Sequence, residues 1–121
     1  MPTRLPGKRI LVVEDNQALA YDIDDSLREM GAEVIGPALD LQTGLQLARE
    51  NWLDAAVLDI DLGSDFVWPL ARELKGHQVP FVFVSAECAD TLPPDFQHMV
   101  CLDKPAPTEI LLRTVADAIT G

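Results

Sequence analysis

Basic residues are scarce in this chain of 121 residues. Lys and Arg together number 9 against 20 Asp and Glu, so the formal net charge is −11 at pH 7. A surface with this excess of negative charge repels phosphate backbones and anionic lipid headgroups. We therefore predict no direct binding to nucleic acid and no direct binding to a membrane.

Cysteine is also scarce. Cys88 and Cys101 form no CxxC motif and have no histidines at zinc-ligand spacing, which argues against a zinc site of the usual type. Two cysteines are too few for the disulfide framework of a small secreted domain. We expect buried or unreactive thiols in a reducing compartment.

Long apolar runs are missing as well. No stretch approaches the length that spans a bilayer, and the first ten residues lack the apolar segment of a signal peptide. We therefore expect a cytoplasmic protein. The length suits one domain, predicted to span residues 1–121, and 48% hydrophobic residues are enough for an ordinary core.

Short apolar runs alternate with helical patterns along the whole chain. Residues 10–13, 55–58 and 81–84 are continuous apolar runs, which predict strands covered on both faces, as in a parallel sheet. Residues 34–35 and 99–102 are weaker strand candidates. Five strands alternating with helices predict a single α/β domain with right-handed crossovers.

The helix signals are of several kinds. A stripe of apolar residues follows Asn16 and ends before Gly31, and Asp40 can cap a second helix. A third helix is expected to start near Phe66 and a last one at Thr108. Between residues 87 and 98 a Pro-Pro pair and the lack of any apolar period predict a helix that is missing or reduced to a turn.

Polar residues follow the apolar runs at one predicted edge of the sheet. They are Glu14 and Asp15 after the first strand, Asp59 after the third, Ser85 after the fourth and Lys104 after the fifth. Sites in open parallel sheets form outside the carboxyl ends of the strands, so these side chains are expected to meet. Taken singly, each has an ordinary explanation: a helix cap for an Asp (Asp15 included), a satisfied hydroxyl for Ser85 and a surface position for Lys104.

Three carboxylates at one edge repel one another unless their pKa values rise or a hard cation lies between them. Magnesium suits such a site because it accepts one or two carboxylates and bridges to phosphate. A lysine and a small hydroxyl nearby complete a pocket for phosphoryl groups. A carboxylate in that pocket can itself be the nucleophile.

The order and spacing of these residues resemble the receiver domain of bacterial two-component response regulators over nearly the whole chain. The matching segments are VVED at 12–15, LDIDLG at 58–63, VSA at 84–86 and LDKP at 102–105. The resemblance implies a flavodoxin-like, doubly wound, five-stranded parallel sheet of order 2-1-3-4-5, here with the fourth helix shortened or missing.

The resemblance also implies a role for each matching residue. Asp59 corresponds to the phosphoacceptor, Ser85 to the hydroxyl that turns toward the phosphoryl group, and Lys104 to the lysine that pairs with it. The expected Mg²⁺ ligands, with Mn²⁺ as a substitute, are Asp15, Asp59, the backbone carbonyl of Asp61 and, through water, Glu14. The peptide bond before Pro105 is expected to be cis.

Two departures from the family pattern stand out. The position three residues before the lysine, commonly aromatic, is Cys101, so the usual aromatic switch is absent. With the shortened fourth helix region, this suggests the FATGUY subgroup of short receivers, which are typically paired with histidine kinases of the HWE type.

The expected function is a stand-alone receiver without catalytic turnover of its own beyond self-phosphorylation and autodephosphorylation. Its partners would be a sensor histidine kinase or a phosphotransfer protein, and an unknown downstream protein unless it acts as a phosphate sink. Two alternatives remain at this point. Asp59 and Asp61 also resemble the DxD motif of haloacid-dehalogenase phosphatases, and a degenerate receiver would act only as a binding module.

Overall fold

The chain alternates strands and helices from one end to the other, in a computed structural model that describes residues 4–88 and 92–120. The strands are β1 Arg9–Val13, β2 Glu33–Ala38, β3 Ala55–Asp59, β4 Phe81–Ser85 and β5 Cys101–Asp103. The α-helices in these residues are α1 Gln17–Glu29, α2 Leu41–Glu50, α3 Trp68–Gly76 and α4 Thr108–Thr120. None of the described helices is long and apolar enough to cross a membrane.

The five strands form one parallel sheet of order β2-β1-β3-β4-β5. This confirms the predicted α/β class and the flavodoxin-like strand order. Because every strand runs in the same direction, all carboxyl ends lie at one edge. The residues that follow β1, β3, β4 and β5 therefore face a common space.

Each face of the sheet has its own hydrophobic core, because successive strand residues point to opposite sides. On one face, Leu11 and Val13 pack with Leu45 of α2 and Leu70 of α3. On the other face α1 and α4 cover the sheet, and the buried residues there include Ile10, Val12, Ile23, Leu27, Leu111 and Val115. The continuous apolar runs in the sequence reflect this coverage on both sides.

The first two helices are capped by single side chains. Asp40 caps α2 as predicted, since its carboxylate accepts a hydrogen bond from the N–H of Thr43 at 2.8 Å. The cap of α1 is Asn16, whose side chain accepts from the N–H of Leu19 at 3.0 Å. A capping role for Asp15 is therefore wrong, because Asn16 is the residue next to the first helical turn.

The start of α3 lies later than predicted. Phe66 pairs with Asp61 in an isolated antiparallel bridge, and the N–H of Val67 donates to the carbonyl of Ile60 at 3.0 Å. These bonds hold the loop after β3 in a hairpin-like turn, so the helix begins only at Trp68. Pro69 lies in its first turn, where the missing N–H has no helical partner to lose.

The segment between β4 and β5 contains only a short 3₁₀ turn, Pro94–Phe96, in its described part. This confirms the prediction of a reduced fourth helix. Phe96 is fully buried and anchors the turn, with its ring 5.5 Å from that of Phe83 and 5.9 Å from that of Trp68. The short turn is therefore packed against the core through the single aromatic side chain of Phe96.

The prediction of two free thiols is wrong. Cys88 and Cys101 form a disulfide, with Cα atoms 5.8 Å apart and a sequence separation of 13. Cys101 lies opposite Phe83 in the β4–β5 register, and the loop after β4 brings Cys88 beside it. Sequence spacing gave no sign of this pairing, because the contact depends on the register of two neighbouring strands.

Candidate functional site

Three carboxylates from two neighbouring strands meet at the carboxyl edge of the sheet. Glu14 and Asp15 follow β1, Asp59 ends β3, and each offers an oxygen within 4.8 Å of the others. The register that pairs Val13 with Leu58 places them side by side. The structure thus brings together the acidic residues that the sequence placed at one edge.

Lys104 reaches the same place from the end of β5. Its backbone N–H donates to the carbonyl of Ser85 at 2.8 Å, which fixes where the side chain begins. Its ammonium nitrogen lies 2.8 Å from Oε1 of Glu14 and 3.3 Å from Oδ2 of Asp59. The Lys104–Pro105 peptide bond is cis, as the resemblance implied.

Asp59 is the most perturbed carboxyl of the site. It is only 3% exposed, and burial, followed by hydrogen bonding with Glu14 and Asp15 and the charge of Glu14, raises its pKa from 3.8 to about 8. Lys104 acts in the opposite direction but is outweighed. Without a cation, these surroundings therefore favour the protonated form of the Asp59 carboxyl.

Lys104 stays charged in this setting. Burial alone would lower the pKa of its ammonium group. The hydrogen bond to Glu14 and the negative charges of Asp59 and Glu14 outweigh that effect and raise the pKa above 10.5. The site therefore holds one fixed positive charge beside its carboxylates.

Ser85 is buried at the end of β4, but its hydroxyl is engaged with its own loop. It accepts a hydrogen bond from the N–H of Glu87 at 3.2 Å and donates to the carbonyl of the same residue at 3.3 Å. Ser85 lines the same cavity as Asp59 and Lys104. The hydroxyl is near the acidic cluster and directed into the loop.

The loop after β3 shapes the rim of this cavity. Asp61 is exposed, and its side chain accepts a hydrogen bond from the N–H of Gly63 at 3.0 Å. Gly63 has a φ of 87°, a conformation that favours glycine. The cavity has a volume of about 660 Å³ and is bordered by Phe66 on one side.

The donor set fits a hard divalent cation. Oδ2 of Asp59 is a buried oxygen that contacts the Lys104 ammonium at 3.3 Å without a hydrogen bond of regular geometry, so it has capacity for a further ligand. The surrounding ligands are carboxylate oxygens without a thiol or imidazole, which suits Mg²⁺ or Mn²⁺ rather than a softer metal. Asp15 is the exposed member of the three, so an ion can approach it from solvent.

Two features of the site were not predicted from the sequence. The first is the ion pair between Lys104 and Glu14, which is shorter than the one between Lys104 and Asp59. The second is Asp103, whose carboxylate accepts a hydrogen bond from the N–H of Cys88 at 2.9 Å. The sequence did contain a signal for the contact between Asp103 and Cys88, because Asp103 is a polar residue at the end of a strand.

Comparison with solved structures identifies the architecture. The REC domain of the PhyR response regulator from Erythrobacter litoralis superposes with a TM-score of 0.84 at 19% identity, covering 95% of this chain and 92% of that domain. The chain has the receiver fold of response regulators. A response regulator from Burkholderia pseudomallei, solved with a phosphorylated aspartic acid, a calcium ion and citrate, superposes with a TM-score of 0.80 at 21% identity, covering 93% of this chain and 69% of that chain.

Curated sequences give a second comparison. The transcriptional regulatory protein PdtaR of Mycobacterium tuberculosis is 33% identical to this chain over 80 residues. The match covers 65% of this chain and 39% of PdtaR, so the chain spans well under half of that relative. No family model matches the chain. The FATGUY subgroup stays a prediction, as do the roles of the individual site residues.

Proposed function

We propose that this receiver is a phosphorylatable switch in which Asp59 accepts a phosphoryl group from the phosphohistidine of a histidine kinase or a phosphotransfer protein. The observation that carries the proposal is the buried Asp59 carboxylate, whose Oδ2 lies 3.3 Å from the Lys104 ammonium and which is clustered with two further carboxylates. The cavity above Asp59 is open to a phosphodonor.

The transfer needs little from the protein beyond position and charge. The Asp59 carboxylate attacks phosphorus, a P–O bond forms as the P–N bond breaks, and the donor histidine nitrogen keeps the electron pair. Lys104 holds a positive charge where a phosphoryl oxygen would arrive. Ser85 lines the same cavity and can donate its hydroxyl hydrogen once it leaves the Glu87 carbonyl.

The raised pKa of Asp59 explains why phosphorylation would need a cation at this site. A protonated carboxyl is a poor nucleophile, and positive charge close to it favours the ionised form. Asp15, Asp59 and the backbone carbonyl of Asp61 would hold Mg²⁺, and Glu14 would do so through water. When bound, the ion would supply charge compensation for the carboxylates and for the incoming phosphoryl oxygens.

Labelling by small phosphodonors tests the proposal. The protein is incubated with Mg²⁺ and acetyl phosphate or phosphoramidate, and the intact mass is measured. We expect the addition of one phosphoryl group, lost in Asp59→Asn and retained in the matched variant Asp61→Asn, which removes an exposed carboxylate at the rim. Absence of labelling with every donor, while Mg²⁺ still binds, would indicate a degenerate receiver.

Further assays separate the remaining possibilities. Rapid turnover of p-nitrophenyl phosphate would favour a phosphatase over a switch, whereas we propose no catalysis beyond self-phosphorylation and autodephosphorylation. Phosphotransfer profiling against candidate kinases, including the HWE type, would identify the partner. The same proposal includes downstream signalling, either through protein contact or by removing phosphoryl groups from a shared kinase. It also includes a cytoplasmic location, where ATP phosphorylates such kinases.

A further inference from the structure

The disulfide lies between the two segments that carry Ser85 and Lys104. Cys88 is three residues after Ser85, and Cys101 is three residues before Lys104. The bond therefore closes a covalent ring beside the phosphoryl cavity. Neither cysteine lines that cavity, and both residues are partly exposed.

The disulfide holds the loop after β4 in the arrangement that engages the Ser85 hydroxyl. The Ser85 hydroxyl accepts one hydrogen bond from Glu87 and donates another to it. The next residue, Cys88, is tied to β5 by two bonds. One tie is the disulfide, and the other is the hydrogen bond from its N–H to Asp103. To turn toward Asp59, the Ser85 hydroxyl must leave both of its hydrogen bonds to Glu87, a residue whose neighbour Cys88 is bonded covalently to β5.

We propose that Cys88 and Cys101 form a reversible oxidation site that controls phosphorylation of Asp59. In the disulfide form the loop is held and the Ser85 hydroxyl stays on Glu87. In the dithiol form the covalent bond to β5 is gone, and the hydroxyl can turn to the phosphoryl group. The effect on phosphorylation rests on the function proposed above, whereas the oxidation site itself does not.

The chemistry balances with a dithiol reductant and a small disulfide oxidant. A reductant thiolate attacks one cysteine sulfur, the S–S bond breaks, and a mixed disulfide forms. The second thiol of the reductant then closes its own disulfide, so two electrons and two protons end on Cys88 and Cys101. Oxidised glutathione reverses the exchange. Disulfides in reducing compartments are mostly transient or redox-sensing, which fits a site of this kind.

The first experiment measures the pair itself. The protein is equilibrated with oxidised or reduced glutathione, free thiols are alkylated, and the mass is determined. We expect an intramolecular disulfide in the first case and two alkylated cysteines in the second. Two alkylated cysteines under both conditions, or only intermolecular crosslinks, would overturn the proposal.

The second experiment measures labelling by acetyl phosphate with Mg²⁺ in both redox states. Loss of one charge-assisted hydrogen bond in the transition state predicts labelling about 10-fold slower in the disulfide form. The double variant Cys88→Ser, Cys101→Ser should label at the fast rate in both buffers. Ser85→Ala should label slowly and without redox dependence. Equal rates for both forms of the unaltered protein would overturn the control of phosphorylation.

Hydrogen exchange distinguishes failure of the redox control from failure of the proposed phosphorylation of Asp59. The amides of Glu87 and Cys88 donate the bonds that hold the loop, so reduction should speed their exchange, and the double Ser variant should show the fast rate in both buffers. If exchange responds to reduction but no donor labels either form, the oxidation site stands and the phosphoacceptor function fails. If exchange is unchanged, the loop is held without the disulfide and the proposal is overturned.

Discussion

The ammonium nitrogen of Lys104 lies 2.8 Å from a carboxylate oxygen of Glu14, a residue that is only 1% exposed. Removing one partner of a buried pair leaves the other charge without compensation. We therefore expect Lys104→Met to lower the free energy of unfolding by about 3 kcal/mol, measured by urea denaturation at neutral pH with a chelator present.

A matched control is available for this change. Glu33→Gln breaks an ion pair of the same length, 2.8 Å to Arg9, but Glu33 has a side chain that is 57% exposed. An exposed pair contributes less than about 1 kcal/mol. Similar losses in the two variants would mean that burial adds nothing to the Lys104–Glu14 pair.

The raised pKa of Asp59 predicts a dependence of stability on pH. Between about pH 4 and pH 8 the folded carboxyl keeps a proton that the unfolded chain has released, so this group makes unfolding easier as pH rises. Asp59→Asn removes the effect. Without metal, the variant should melt at least about 4 °C above the unaltered protein at pH 8, with a smaller difference at pH 5.

Thermal unfolding followed by circular dichroism across this pH range measures both proteins. Added Mg²⁺ should narrow the gap at pH 8, since the ion stabilises only the chain that keeps the carboxylate. A difference in Tm that is constant with pH would show that Asp59 titrates normally.

Magnesium should also be visible in the fluorescence of Trp68. Its ring lies 6.3 Å from that of Phe66, which borders the phosphoryl cavity. Trp52 lies at the opposite end of the sheet, is 67% exposed and packs under Arg9. We expect a Mg²⁺-dependent spectral change that survives Trp52→Phe and disappears in Trp68→Phe.

The acidic cluster supplies the negative control for this titration. Asp15→Asn should lose the response at the same Mg²⁺ concentrations, because it removes one of the three carboxylates. A response that persists in Asp15→Asn would place the ion elsewhere on this acidic surface.

Phe96 should be the most costly residue to truncate in the segment that replaces a fourth helix. It is fully buried among the rings of Trp68, Phe81 and Phe83. Phe96→Ala is expected to lower the free energy of unfolding by about 3 to 5 kcal/mol in urea denaturation. Val100→Ala, at an exposed position nearby, should change it by less than about 0.5 kcal/mol.

Much of the fold could be predicted because its signals are local. A strand covered on both faces must be apolar throughout, and residues such as Ile10 and Val12 on one side and Leu11 on the other show this directly. The placement of Glu14, Asp15 and Asp59 at one edge followed from strand direction, and their contact follows from the pairing of β1 with β3. Their placement needed no knowledge of side-chain contacts.

The missed features depend on distances between segments. The Cys88–Cys101 bond requires the register of β4 against β5, which no spacing in the sequence reveals. The preference of Lys104 for Glu14 over Asp59 is a difference of half an ångström between two possible partners. The delayed start of α3 came from the bridge between Asp61 and Phe66, where a long-range pairing overrode a local helix signal.

The ring closed by Cys88 and Cys101 also changes what a protease can do to this protein. A single cut in the backbone between the two cysteines would leave the halves joined through sulfur, so the fragment with Asp59 would carry the fragment with Lys104. On a non-reducing gel the nicked protein would migrate as one species, and a reductant would release two. The continuity of the site therefore does not depend on every peptide bond of the chain.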